Sequence, residues 1–158
     1  MSFQQELAAL FRRDLRRLVQ ELEAFPGDAY LWQTVPGVSN AAGNLTLHLE
    51  GNLREYIGRV LGGVDYQRDR PYEFAAKAMP ASGLIARIQA VEELIPTIIV
   101  NLTDAQLDAE YTAYSYLLST RQFLMHLIAH FNFHLGQIGY LRRFLTQGSA
   151  VKFVELGQ

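Results

Sequence analysis

Apolar residues recur at every third or fourth position along four long stretches, and that period is helical. From Phe3 to about Phe25 the stripe is Leu7, Leu10, Phe11, Leu15, Leu18 and Leu22. Arg12, Arg13, Arg16 and Arg17 crowd the outer, solvated face, and Pro26-Gly27 stops the helix. A loop with Trp32, Pro36 and Gly37 follows. Ser39 or Asn40 is placed to cap a second helix, with Leu45, Leu49, Leu53, Tyr56 and Val60 as its stripe. That helix is expected to run to about Leu61, where Gly62-Gly63 ends it. The polar segment Asp65 to Pro80 reads as an irregular crossover. A third helix, Ser82 to Asn101, carries Leu84, Ile88, Val91, Ile95 and Ile98, and Pro96 inside the pattern should kink it or cost a hydrogen bond. Leu102 to Leu118 reads as a Tyr-rich loop whose tail, Tyr111 to Leu117, is extended.

The fourth helix has the clearest start. Ser119-Thr120-Arg121-Gln122 fits a capping box, in which Ser119 and Gln122 satisfy each other's backbone donors. It is expected to reach about Thr146, with Gly148 beyond. Its stripe is Leu124, Leu127, Phe131, Leu135, Ile138 and Leu145. Four long amphipathic helices with longer crossovers imply an all-α four-helix bundle. The length of 158 residues suits one domain, 1–158.

Composition narrows the chemistry. Apolar residues make up 49% of the chain, too many for disorder. The formal charge is −2, from 14 basic and 16 acidic side chains, and there is no long basic run, which argues against nucleic acid as a partner. With no Cys, a sulfur-ligated zinc site, an iron–sulfur cluster and a Cys nucleophile are excluded. The N-terminal residues lack the apolar core of a signal peptide, so a cytoplasmic location is expected. Gln122 to Leu141 holds no Lys, Arg, Asp or Glu. It also holds His126, His130, Asn132, His134 and Gln137, each costly in hydrocarbon, so a buried helix is expected and not a membrane span.

Three of the four His fall at 126, 130 and 134, two successive i, i+4 steps on the fourth helix. On a helical wheel His134 lies within the apolar stripe and His130 on its shoulder. His126 is swung about 40° farther outward. His130 and His134 are therefore the better pair. His48, on the flank of the second helix beside Asn52 and Glu55, is the fourth. The residues alone leave three readings open: a metal site, histidines satisfied at a bundle edge, or a bis-His haem axle. His130-Phe131-Asn132-Phe133-His134 carries Phe where a zinc peptidase needs its Glu. There is no phosphate-binding Gly loop and no Ser elbow. No general base stands out: Glu50, Glu55 and Tyr56 are near in sequence, and each also suits a surface or core role. Phe123, Phe133 and Tyr140 lie off the core stripe of the fourth helix, which calls for cover by a second subunit or by the Tyr-rich loop.

His130-Phe131-Asn132-Phe133-His134-Leu135-Gly136-Gln137 resembles the H-x-x-x-H-x-G-Q signature of DinB-like (YfiT-like) proteins. Gly43-Asn44-Leu45-Thr46-Leu47-His48-Leu49, preceded by Trp32 and Pro36, is similar to the family segment with the first metal His. Arg68-Asp69-Arg70 and Glu73-Phe74 resemble the crossover of one branch. The resemblance implies a bundle of up-down-down-up topology, commonly dimeric, with a divalent metal held by His48, His130 and His134. His126 does not match the motif. The metal would be zinc, with nickel, manganese or iron as alternatives. The resemblance also implies a thiol-dependent S-transferase acting on a small molecule with a low-molecular-weight thiol as co-substrate. A metal-dependent hydrolase and a non-catalytic metal- or ligand-binding stress protein are the alternatives. Asn52 and Gln137 are the expected supports for the imidazoles. One position departs from the pattern: Leu135 stands where many members carry Arg.

Overall fold

The computed structural model describes residues 1–113, 115 and 117–152. It is mostly helical, and no strand occurs among the described residues. The helices are α1 (Phe3–Glu23), α2 (Ala42–Leu53), α3 (Arg70–Ala75), α4 (Ala81–Val100), α5 (Asp104–Asp108) and α6 (Thr120–Thr146). A 3-10 turn, Asp28–Trp32, follows α1, and a π-type segment, Arg54–Arg59, prolongs α2. No described helix is long and apolar enough to cross a membrane.

The apolar stripes of the long helices meet in one core. Phe11, Leu15, Leu18 and Leu22 of α1 join Leu84, Ile88, Val91 and Ile95 of α4 and Leu124, Phe131 and Ile138 of α6. α1 packs on α4 and α6, α2 packs on the same two helices, and α3 lies over α2. Polar contacts mark the levels of packing. Gln4 Nε2 donates to the Leu102 carbonyl at 3.1 Å, and the Ala81 amide donates to Asp28 at 2.8 Å. Arg87 pairs with Glu50 at 2.7 Å, and Ile98 packs where Gly62 has no side chain. Asn132 donates to Asp14 at 2.7 Å, and Arg142 pairs with Glu21 at 2.6 Å.

Several elements differ from the pattern reading. Neither Ser39 nor Asn40 caps α2. The cap is Ala41, with no side-chain hydrogen bond, because this end of the helix is buried and only small residues fit there. At Gly43 a Cβ would lie about 2.8 Å from the Trp32 indole. Every residue of α2 is buried, so it has no solvent face at all; α3 and the crossover cover its outer side. The crossover is therefore not irregular throughout. Asp69 caps α3 by accepting from the Tyr72 amide at 3.0 Å, and Pro71 sits in the first turn, where its missing N–H costs nothing.

Further along, α4 continues through Pro96, and Ile99 is fully buried where Ile98 was expected. The Tyr-rich loop contains α5, started by a Thr103/Gln106 capping box. Beyond it the Tyr111 amide donates to the Leu118 carbonyl at 2.8 Å, Thr112 and Ala113 form a turn, and no strand occurs among the described residues of this tail. Tyr114 and Tyr116 of the expected extended tail lie outside the described residues. The basic run of α1 is only partly solvated: Arg13 and Arg17 close on Asp14, whose side chain is fully buried. Phe123 is covered from within the chain, stacked on Tyr111 with ring centroids 4.0 Å apart, whereas Phe133 and Tyr140 are exposed.

Candidate metal centre

The capping box of Ser119 and Gln122 starts α6 as expected, and its 27 residues carry His130 and His134 one turn apart. α2 brings His48 against them. The His48 and His130 Nε2 atoms are 3.4 Å apart, and those of His130 and His134 are 3.1 Å apart. The three rings stand edge to face, at 70° to 89° to one another. Each histidine offers one nitrogen to a common point, and the group could hold a metal ion. The spacing fits. Zn–N bonds of about 2.0–2.1 Å at tetrahedral angles put neighbouring nitrogens about 3.3–3.4 Å apart.

The outer ring nitrogens set the tautomers. His48 Nδ1 lies 3.0 Å from Glu73 Oε2, and Glu73 also takes two hydrogen bonds from Arg68, at 2.6 and 2.8 Å. Burial alone would raise the Glu73 carboxyl, but the hydrogen bonds from Arg68 and His48 outweigh it and hold it below its ordinary range. An ionised carboxylate accepts only, so His48 Nδ1 carries the proton and Nε2 presents a lone pair. His134 Nδ1 likewise donates to Gln137 Oε1 at 2.6 Å, which leaves its Nε2 unprotonated. Nε2 of both His48 and His134 therefore presents a lone pair on the side of His130, and that of His48 also accepts from the Asn52 amide at 3.0 Å. Burial, reinforced by the neighbouring His134 and His48, pushes His130 down to about 4, and burial also lowers His134. Both are neutral, ligand-competent imidazoles near pH 7.

Glu73 reaches His48 through a chain of local causes. Asn44 of α2 is buried and donates to the carbonyls of Glu73 and Ala76, at 3.0 and 2.8 Å, which ties α3 to α2. Gly51 clears the space: a Cβ there would overlap the Glu73 carboxylate. Pattern reading did not single out Glu73 or Arg68 as site residues. The available signal was Asp69-Arg70-Pro71, a cap followed by a first-turn Pro.

The remaining candidates separate clearly. Gln137 supports His134 from the outer nitrogen. Asn52 instead places its amide 3.0 Å from His48 Nε2, on the inner side, so the outer support of His48 is Glu73. His126 is exposed, with its ring 6.2 Å from that of His130, and it stands outside the three-His group. Glu50 is held by Arg54 and Arg87, and Glu55 by Arg59. Tyr56 lines a cavity of about 330 Å³ that opens onto His48 and His130. A second, more apolar groove of about 480 Å³ reaches His134 from the other side, past Leu45, Val38 and Phe144.

The mostly helical chain brings together three imidazoles, two of them oriented by outer hydrogen bonds and each reachable from an open cavity, in a group that could hold a metal ion. The chain belongs to the DinB superfamily, whose model matches residues 10–138. Proteins of this superfamily are typically metal-dependent. Comparison with curated proteins returns no match, so no relative's activity bears on the reading.

Proposed function

We propose that the chain is a divalent-metal-dependent S-transferase for a low-molecular-weight thiol, with the metal held by Nε2 of His48, His130 and His134. The carrying observation is the convergence of those nitrogens at 3.1 and 3.4 Å with the outer nitrogens of His48 and His134 tethered. Three protein ligands leave a further position for a reactant, and the cavity beside His48 and His130 supplies access to it. A bound zinc ion would lower the pKa of a coordinating thiol and keep it deprotonated at neutral pH. The chain's own part is to orient the imidazoles through Glu73 and Gln137 and to shape the approach. No carboxylate lines that cavity among the described residues. A thiol ionised by the metal itself needs no such base. The chain has no Cys, so the thiol is borrowed.

The proposed frame is one domain, residues 1–158, a four-helix bundle of up-down-down-up topology. Residue numbers rise together between α1 and α6 (Asp14 with Asn132, Glu21 with Arg142) and between α2 and α4 (Glu50 with Arg87, Gly62 with Ile98). They run oppositely between α1 and α4 (Gln4 with Leu102, Asp28 with Ala81) and between α2 and α6 (His48 with His130, Tyr56 with Phe123). A homodimer is proposed over Phe133, Tyr140 and Phe144, which α6 leaves exposed; light scattering tests it, and a monomer at high concentration overturns it.

Elemental analysis is expected to find about one divalent ion per chain, zinc first, then nickel, manganese or iron. His48→Ala, His130→Ala and His134→Ala should empty the site and His126→Ala should not. Turnover is tested with a panel of thiols and monochlorobimane. Thiol-independent turnover would point to a hydrolase. No turnover with any thiol or ester, in fully metallated protein, would point to a metal-binding module.

A further inference from the structure

The two openings onto the histidine centre differ in character. The groove at His134 is lined mainly by aliphatic and aromatic side chains. The cavity at His48 and His130 is lined by Arg68, Arg70, Asn52 and His126 among others, and by no carboxylate of the described residues. In a chain of formal charge −2 this is a local departure. Arg68 is neutralised by its two hydrogen bonds to Glu73. Arg70 is not: no carboxylate of the described residues pairs with it. Its guanidinium lies 5.2 Å from the centre of the Phe74 ring, and that ring lies 5.1 Å from His48. Phe74 thus holds an uncompensated cation beside the cavity that His48 and His130 also line.

We propose that this cavity seats a small reactant bearing a carboxylate, with Arg70 as its counter-ion, while the other end of that reactant faces the three histidines. The inference rests on the metal reading above and adds the substrate class. Volume agrees: about 330 Å³ is at the lower end of small-molecule sites, about 300–1,000 Å³. Charge agrees as well. A guanidinium with its forked donors free of a protein carboxylate matches a reactant carboxylate two bonds at a time. The groove at His134, which has no comparable cation, is left for an apolar reactant.

Three probes separate the terms by isothermal titration of zinc-loaded protein: mercaptosuccinate, succinate and thioglycerol. The first carries a thiol and two carboxylates, the second the carboxylates alone, the third an uncharged thiol. Mercaptosuccinate is expected to bind about ten-fold or more tighter than thioglycerol, as charge-assisted hydrogen bonds imply. Arg70→Gln should remove most of that preference and weaken succinate by a similar factor, with thioglycerol unchanged. Arg70 is exposed, so the variant should fold, which circular dichroism checks. Arg12→Gln, on the exposed face of α1, should change none of these values. Equal binding of mercaptosuccinate and thioglycerol, or an undiminished preference in Arg70→Gln, overturns the proposal. Arg70-dependent succinate binding with no further gain from the thiol upholds the carboxylate site and sinks the thiol-transfer reading instead.

Discussion

His48 and Glu73 are joined by a hydrogen bond of 3.0 Å between Nδ1 and Oε2, and this bond aims the other ring nitrogen at His130. The acceptor is itself fixed by Arg68, so the imidazole is oriented by a buried ion pair and not by a flexible side chain. Supports of this kind typically govern metal affinity by about 10–100-fold. Glu73→Gln keeps the shape but removes the charge and leaves Arg68 without its partner. Zinc affinity, measured by competition with a chromophoric chelator, should fall by about that factor. His126→Ala is the control and should leave affinity within error. An unchanged affinity in Glu73→Gln would falsify the orienting role.

The metal-free protein should be sensitive to mild acid. His130 is pushed down to about 4 by burial, with the neighbouring His134 and His48 adding to it, against an ordinary value of 6.5. Between those values the unfolded chain binds a proton that the folded chain refuses. Stability is then complete above about pH 6.5 and is lost as pH falls towards 4. His134, lowered by burial, acts in the same direction. Urea melts of chelator-stripped protein between pH 7 and 4.5 should therefore show a steeper loss for the wild type than for His130→Asn. Parallel curves would show that His130 is not held neutral by the fold.

Periodicity made the four long helices legible because each buries a stripe of Leu, Ile, Val or Phe against one core. The i, i+4 spacing likewise made His130 and His134 a pair, and the wheel set His126 apart. What it missed follows from physics of shorter range. α3 has only six residues, too few for a 3.6-residue period to show, yet it carries Glu73. α2 is buried on every side, so its stripe was only part of its contact surface. For Phe123 the pattern left two covers open, a second subunit or the Tyr-rich loop, and it is Tyr111 of that loop that stacks on it.

The ion pair of Glu21 and Arg142 ties α1 to the last turns of α6. Its Nε–Oε2 distance is 2.6 Å, and both side chains are nearly inaccessible. Removing one partner leaves a charge without compensation in a buried setting, which typically costs about 3–5 kcal/mol. Arg142→Leu should destabilise by about that amount in urea unfolding. Glu21→Met combined with Arg142→Leu should recover much of the loss, because no charge is then stranded. A double variant no more stable than the single one would mean that packing, not charge, dominates there.

Two glycines test how tightly the centre is built. Gly51 faces the Glu73 carboxylate so closely that a Cβ has no room, and Arg68 stands just behind at 3.3 Å. The carboxylate cannot retreat, because it is held by Arg68 and His48 together. Gly51→Ala should therefore push Glu73 off His48, lowering both thermal stability and zinc affinity. Gly136 is also within a helix, two residues beyond His134, but a Cβ there meets nothing within 4 Å. Ala is the better helix former by about 0.5–1 kcal/mol, so Gly136→Ala should stabilise the protein slightly and leave zinc affinity unchanged. The two substitutions are chemically identical, so opposite signs isolate the contact with Glu73 from any general effect of stiffening a helix. If both stabilise, Gly51 is not the clearance that the Glu73 support requires.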